Sequence, residues 1–103
     1  MIAEFCVIPV GGGTHFSGRL AKILRLVDAS GLDYKLGPMG TCVEGSWEEV
    51  MALIDKCRRA VLSDHQRVWI SIKVDDRKGS PRKKRLSAKV DSVVEKSGRC
   101  LKT

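Results

Sequence analysis

The stretch Gly37-Pro38-Met39-Gly40-Thr41-Cys42-Val43-Glu44-Gly45 decides how this chain folds. Gly-Pro followed by Met-Gly is typical of a tight turn, and residues 41–44 after it form a short strand candidate. Residues 34–36 before the turn form another. The segment therefore predicts a β-hairpin near the middle of the 103 residues.

Helix patterns flank this hairpin on both sides. Apolar residues recur at i, i+4, i+7, i+8 and i+11 over residues 16–29, which predicts an amphipathic helix. After the hairpin, Ser46 and Glu49 have the spacing of a capping box, and the helix that follows should end near residues 63–64. A third helix is predicted over residues 86–96, and we expect a frayed tail at residues 97–103.

Two longer strands complete the pattern, at residues 2–10 and 68–75. The order of the first six elements is strand, helix, strand, strand, helix, strand, which is the split βαβ arrangement. We therefore predict one α+β domain over residues 1–103. It is a ferredoxin-like βαββαβ sandwich with an antiparallel four-stranded sheet, two helices on one face and an additional C-terminal helix.

The alternation of the strands predicts which side chains point away from the two helices. The Val/Ile row of residues 68–75 should face the helices, and Thr41 and Val43 should lie with it. The opposite side, called the open face below, should then carry Cys42, Glu44, Trp69, Ser71, Lys73 and Asp75. The first strand is apolar on both sides, so we expect a second subunit to cover this face, sheet against sheet.

A carboxylate enclosed on that face needs a hydrogen-bond donor. For Glu44 the donor could be Lys73, or it could be the amine or ring edge of a ligand. Trp47, in the first turn of its helix, is better explained as a packing residue. The sequence leaves the choice between the two donors open.

The cysteines, histidines and paired aspartates argue against a metal-binding protein and against an enzyme. Cys6, Cys42, Cys57 and Cys100 are scattered and form no metal-binding pattern with the two histidines. Asp75 and Asp76 point to opposite faces of a strand and cannot act as a dyad, and neither histidine has an evident catalytic partner. These patterns predict a protein that is neither catalytic nor metal-binding. The sequence shows no signal peptide or membrane-spanning run, and with its scattered cysteines this predicts a location in the reduced cytoplasm.

The net charge of +7 is concentrated in the basic segment 77–89. Such a run could bind anions or nucleic acid, and its affinity would then fall with salt. No aromatic residue is interleaved to stack on bases, so a solvated loop is the preferred interpretation and nucleic-acid binding the alternative.

The chain resembles the thiamine-binding proteins of the YkoF-like ferredoxin-fold group (UPF0045, DUF77). The resemblance covers nearly the whole chain in order. It is carried by residues 2–5 and 8–11, by Gly37-Pro38-Met39-Gly40-Thr41 with Val43-Glu44-Gly45, by Ile72-Lys73-Val74-Asp75-Asp76-Arg77 and by residues 89–93.

This resemblance implies homodimers or homotetramers that bind thiamine or its hydroxymethylpyrimidine part and do no chemistry on it, as carrier or sensor. No cofactor is implied beyond that ligand. A carboxylate can pair with an aminopyrimidine edge and with the thiazolium cation. The implied ligand-binding residues are Met39, Thr41, Glu44, Lys73 and Asp75, with Trp69 or Met39 packed on the ring.

Overall fold

The computed structural model describes residues 1–11, 17–79 and 85–103. In that range the chain forms four strands and three helices in the predicted order. They are β1 (Ile2–Pro9), α1 (Ser17–Ala29), β2 (Asp33–Leu36), β3 (Thr41–Glu44), α2 (Trp47–Leu62), β4 (Val68–Asp75) and α3 (Arg85–Ser97).

The four strands form one antiparallel sheet in the order β2-β3-β1-β4. The prediction of an α+β ferredoxin-like fold is confirmed. The capping box at the start of α2 is also present: Glu49 N–H donates to the Ser46 hydroxyl at 3.1 Å, and Ser46 N–H donates to the Glu49 carboxylate at 3.0 Å. The predicted first residue of α1, Phe16, lies outside the described residues.

The core lies between the sheet and the pair α1 and α2. Ala3, Phe5 and Val7 of β1 are buried there beside Val43 of β3. The helices contribute Ile23 and Val27 from α1, and Val50, Leu53, Ile54, Cys57 and Val61 from α2. These positions follow the predicted strand alternation and helix stripes, so burial of apolar area explains why the elements pack in this way.

The third helix was predicted without a position, and the structure places its start on the open face. Leu86 N–H donates to the carboxylate of Glu44, and Lys89 pairs with Asp75. Elsewhere α3 contacts β3 and β2. The expectation that this side of the sheet is free of helices is therefore wrong at the end where β1 begins.

Candidate functional site

The two acidic residues of the predicted site lie on the same face and in the same row of the sheet. Ile2 of β1 is registered with Glu44 of β3 on one side and with Asp75 of β4 on the other. Directly opposed residues of antiparallel strands point to the same face, so all three side chains point to the open face. The two carboxylate residues are separated by two strand spacings, about 10 Å.

Both carboxylates are engaged by α3. Glu44 is only 4% exposed, and its Oε1 accepts the hydrogen bond from Leu86 N–H at 3.0 Å. Asp75 accepts a hydrogen bond from the Lys89 ammonium group. The first turn of a helix favours a negative group, so Glu44 stabilises the start of α3. The acidic row therefore has a structural explanation that the sequence did not suggest.

Lys73 lies in the next row of the open face. It is registered with Glu4 of β1, which is in turn registered with Cys42 of β3. The Cys42 thiol donates to the Glu4 carboxylate with 3.7 Å between Sγ and Oε2. Burial, and secondly the negative charge of Glu4, raise the pKa of Cys42. In this register, Glu4 is the carboxylate that Lys73 faces.

Trp69 lies at the far end of the open face. It is registered with Ile8, six residues along β1 from Ile2, so about 20 Å separates it from the acidic row. Its side chain is 61% exposed. Trp69 and the two carboxylates share a face, as predicted, but they do not line a common pocket.

The other two predicted residues, Met39 and Thr41, line a cavity on the side of β1 that faces β3 and the hairpin turn. Its volume is about 660 Å³, and its walls are almost entirely apolar. One wall is the first half of α1, with Leu20, Ala21 and Leu24. A second wall is the hairpin turn between β2 and β3, and the floor is residues 5–8 of β1.

This cavity follows the edge of β1. Phe5 and Val7 reach it from the helix-covered face, and Cys6 and Ile8 from the open face. The pairing of β3 with β1 ends at Phe5–Thr41, although β1 continues to Pro9. Because β3 has four residues and β1 has eight, the second half of β1 has an edge that β3 does not cover.

Two glycines let the hairpin turn close tightly beside that edge. Gly37 N–H donates to the Gly40 carbonyl at 2.9 Å, and a Cβ on Gly37 would lie 2.9 Å from the same oxygen. A Cβ on Gly40 would lie 3.2 Å from the Phe5 carbonyl oxygen and 3.2 Å from Cγ of Glu4. A side chain at position 37 would therefore clash with the turn, and one at position 40 would be tightly packed against β1. The turn leaves Met39 at its tip, 85% exposed.

The sequence pattern missed the contributions of β1 and α1 to this cavity. The signal was available in the lengths of the strands, since a hairpin strand of four residues cannot pair along all of a strand of eight. The apolar stripe of α1 predicts an amphipathic helix but does not show that part of the stripe lines a cavity. Leu20, which is 46% exposed, faces the cavity.

Several other predictions can be placed on the described residues. Among them, no group of three or more His, Cys, Asp or Glu side chains could hold a metal ion. In that same part of the chain, no helix has the length and hydropathy to cross a membrane. Residues 80–84, the centre of the basic segment 77–89, lie outside the described part, so anion binding by this segment stays a prediction.

Comparison with known proteins agrees with this architecture. A family model described as "Thiamine-binding protein" matches residues 3–94. A UPF0045 protein of Methanothermobacter thermautotrophicus is 34% identical over 97 residues, which cover 91% of this chain and 96% of the relative. The UPF0045 protein MJ1052 of Methanocaldococcus jannaschii is 32% identical over 78 residues, covering 76% and 78% of the two chains.

Two solved structures are similar in fold. The crystal structure of MJ1052 superposes with a TM-score of 0.75 at 26% identity, covering 96% of each chain. The structure of TM0486 from Thermotoga maritima, named as a candidate thiamine biosynthesis/salvage protein, has a TM-score of 0.77 at 21% identity, covering 89% of this chain and 96% of that one. With a family model matching most of its length, the chain belongs to the thiamine-binding protein family and has a thiamine-related role.

Proposed function

We propose that this protein binds thiamine or its hydroxymethylpyrimidine part without transforming it, as a carrier or sensor. We place the ligand in the cavity along the edge of β1. The observation that carries this proposal is an apolar cavity of about 660 Å³ enclosed by α1 and the Gly37–Gly40 turn, in a chain of the thiamine-binding family. Ligand cavities of roughly 300–1,000 Å³ with apolar walls and few polar groups are typical of small-molecule sites.

The walls of this cavity suit flat aromatic rings. Leu20, Leu24 and Ile23 form one side, and Met39 at the tip of the turn can fold over the mouth. A methionine sulfur makes favourable contacts with aromatic rings. Thr41 is buried, lines the cavity and brings a hydroxyl group. These contacts support roles for Met39 and Thr41 in the ligand site.

A cationic thiazolium ring needs negative charge near the mouth. The carboxylate group of Glu4 lies beside the turn, since its Cδ is 3.6 Å from where a Cβ of Gly40 would be. We propose Glu4 for this role rather than Glu44 or Asp75, because those two lie at the start of β1 and contact α3, away from the cavity. An attractive charge at an exposed site contributes modestly, so Glu4 should tune affinity for thiamine more than for the neutral pyrimidine.

The composition of the cavity supports binding rather than catalysis. Among the described residues that line it, none is a carboxylate, histidine, lysine or arginine, and Cys6 is the one titratable side chain. General acid–base catalysis most often uses a histidine, carboxylate or lysine within hydrogen-bond reach of the reacting atom.

A thermal-shift and calorimetry series tests the proposal with thiamine, its phosphates and hydroxymethylpyrimidine. A ligand at about 100 times its dissociation constant stabilises the fold by about 2.7 kcal/mol, which raises the melting temperature by several degrees. Thr41→Val keeps the shape of the side chain, removes the hydroxyl and should weaken binding. If none of these compounds binds the unaltered protein, the proposed function is wrong.

We also propose that the protein works as a homodimer or homotetramer. Its accessible surface is 7572 Å², whereas about 5,800 Å² is expected for a compact monomer of its mass, 11.4 kDa. The excess of about 1,800 Å² exceeds the roughly 800 Å² that each partner buries in a standard interface. Trp69 on the open face, Ile72 and Val74 on edge strand β4, and Val93 of α3 are exposed apolar residues that a second copy would cover.

A further inference from the structure

We infer that the backbone N–H and C=O of Val7 recognise the ligand in the β1-edge cavity, and that this donor–acceptor pair selects an aminopyrimidine edge. The inference rests on the proposed function and deepens it by naming the group that the site recognises. It follows from the register of the sheet and from the surroundings of Val7.

The backbone hydrogen bonds of β1 alternate between its two neighbouring strands. In antiparallel sheets, residues alternate between pairs that exchange both backbone bonds and pairs that exchange none. Val10 N–H donates to the Arg67 carbonyl at 2.9 Å, in register with the pairing of β1 and β4. The even-numbered residues of β1 therefore bond to β4, and the odd-numbered residues direct their N–H and C=O groups towards β3.

The hydrogen bonds between β1 and β3 have the complementary phase. Gly45 N–H donates to the Met1 carbonyl at 3.0 Å, which continues the register that pairs Phe5 with Thr41. Met1, Ala3 and Phe5 thus bond to the chain around β3. The next odd-numbered residue is Val7, and its N–H and C=O point to the same edge.

Val7 has no strand partner on this side among the described residues. Continuing the register would place Met39 opposite Val7, but the chain turns away at Gly40 and leaves Met39 exposed. Within residues 1–11, 17–79 and 85–103, no strand residue is registered with Val7 on this side.

The backbone of Val7 lies in a buried, apolar environment. Val7 is 4% exposed and lines the apolar cavity. Buried backbone N–H and C=O groups are almost always hydrogen-bonded, because leaving them unpaired away from water is costly. A donor and an acceptor from one residue, at the floor of an apolar cavity, form a polar pair that a ligand can satisfy.

An aminopyrimidine edge is chemically complementary to the N–H and C=O of Val7. An aminopyrimidine carries an exocyclic amino donor beside a ring-nitrogen acceptor, and its flat faces can pack between α1 and the turn. The amino group would donate to the Val7 carbonyl and the ring nitrogen would accept from the Val7 N–H. A lactam ring reverses the donor and acceptor and would not match in the same orientation. A site that pairs a ligand group rejects analogues that lack it.

The experiment uses the unaltered protein and three pyrimidines, measured by calorimetry. These are hydroxymethylpyrimidine, its analogue with hydrogen in place of the amino group, and its lactam analogue. We expect each replacement to weaken binding at least tenfold. Protein labelled with ¹⁵N is titrated in parallel by NMR, and the Val7 amide proton should move downfield with hydroxymethylpyrimidine. The Phe5 amide, which is already paired with Thr41, serves as the control and should move less.

The outcomes separate this inference from the function on which it rests. If hydroxymethylpyrimidine and thiamine both fail to bind, the proposed function fails, and the inference with it. If hydroxymethylpyrimidine binds but both analogues bind equally well and the Val7 amide does not shift, the function stands and recognition by Val7 is wrong. Selective binding together with a shift at Val7 supports both.

Discussion

Glu44 of β3 accepts a hydrogen bond from Leu86 N–H, with 3.0 Å between Oε1 and the nitrogen, and so joins the sheet to the first turn of α3. The carboxylate is almost completely buried, and the helix N-terminus is the kind of positive environment that stabilises it. Asp75 and Lys89 make a second link between the sheet and this helix. The acidic row at the start of β1 thus anchors α3 to the open face.

The first prediction concerns that anchor. Glu44→Gln keeps an acceptor for Leu86 N–H but removes the charge, so we expect the free energy of unfolding to fall by about 1 kcal/mol. Hydrogen exchange should become faster in the first turns of α3 by more than in α2, whose core amides exchange mainly through global unfolding. Glu95→Gln, at an exposed position of α3, is the matched control and should have little effect.

The same variant separates two roles for Glu44. Because the proposed ligand cavity lies along residues 5–8 of β1, away from the Ile2 end at which Glu44 is registered, Glu44→Gln should bind thiamine compounds as the unaltered protein does. Loss of binding with undisturbed exchange in α3 would instead make the acidic row part of the ligand site.

The position of α3 shows a limit of sequence patterns. The stripe of Leu86, Val90, Val93 and Val94 predicts that one side of this helix is apolar. It does not say which surface that side covers, since many surfaces can bury a stripe of valines. Glu44 makes one of the contacts that hold α3 there, and the sequence offers a lysine or a ligand as the donor for its charge. A backbone N–H at a helix start satisfies it as well, and a sequence does not display that donor.

The second prediction tests the cavity by filling it. Ala21 of α1 is exposed and lines the cavity, so Ala21→Phe should place a ring where the ligand rings would lie. We expect a folded protein with near-normal stability and binding weakened at least tenfold, measured by calorimetry with hydroxymethylpyrimidine. An affinity equal to that of the unaltered protein would move the ligand elsewhere. Ala52→Phe, at an exposed position of α2, adds the same ring away from the cavity and should leave binding unchanged.

The third prediction concerns assembly through the edge of β4. The hydrogen-bond phase directs the N–H and C=O of Val7 towards β3. The same phase directs the N–H and C=O groups of the even-numbered residues of β4 away from β1. Ile72 therefore presents its N–H at the outer edge of β4, which no strand of the described residues covers, and a second copy could pair with it there. Ile72→Pro removes that donor and no bond to β1, so we expect a stable fold that light scattering shows as a smaller assembly.

The control for this prediction is one residue away. Ser71 is bonded to Cys6 of β1 in the same phase, so Ser71→Pro should break the internal ladder and lower the melting temperature strongly. If the unaltered protein is a monomer at micromolar concentration, assembly through β4 is wrong. If Ile72→Pro keeps the original mass, the copies meet at another surface, such as the open face around Trp69.

The candidate site shows how far a strand pattern can be used. Alternation correctly assigned Thr41 and Val43 to the helix-covered face and Glu44, Lys73 and Asp75 to the open face. It carries no information on position along a strand relative to its neighbours, which the register decides. Trp69 and Asp75 are on one face of one strand, yet they are six residues apart. The cavity depends on where β3 stops, and that follows from the closed turn at Gly37 and Gly40.

Cys57 provides the fourth prediction, on pH. This thiol of α2 is fully buried in the core, and burial raises its pKa from the ordinary 9.0 to about 11. The folded state therefore holds the proton more tightly than the unfolded state does. Stability that depends on this group is complete below pH 9 and is lost as the pH rises towards 11, by up to about 2–3 kcal/mol.

Urea unfolding at pH 8, 9, 10 and 11 measures this loss, with Cys57→Ala as the comparison. The variant should be less stable at pH 8, because it leaves a small cavity in the core, but its stability should fall less between pH 9 and 11. The pKa of Cys42 is raised as well, and its contribution remains in both proteins and cancels in the difference. Parallel curves for the two proteins would show that ionisation of Cys57 does not limit stability in alkali. Alkylation at pH 8 gives an independent check, since exposed Cys100 should react long before Cys57.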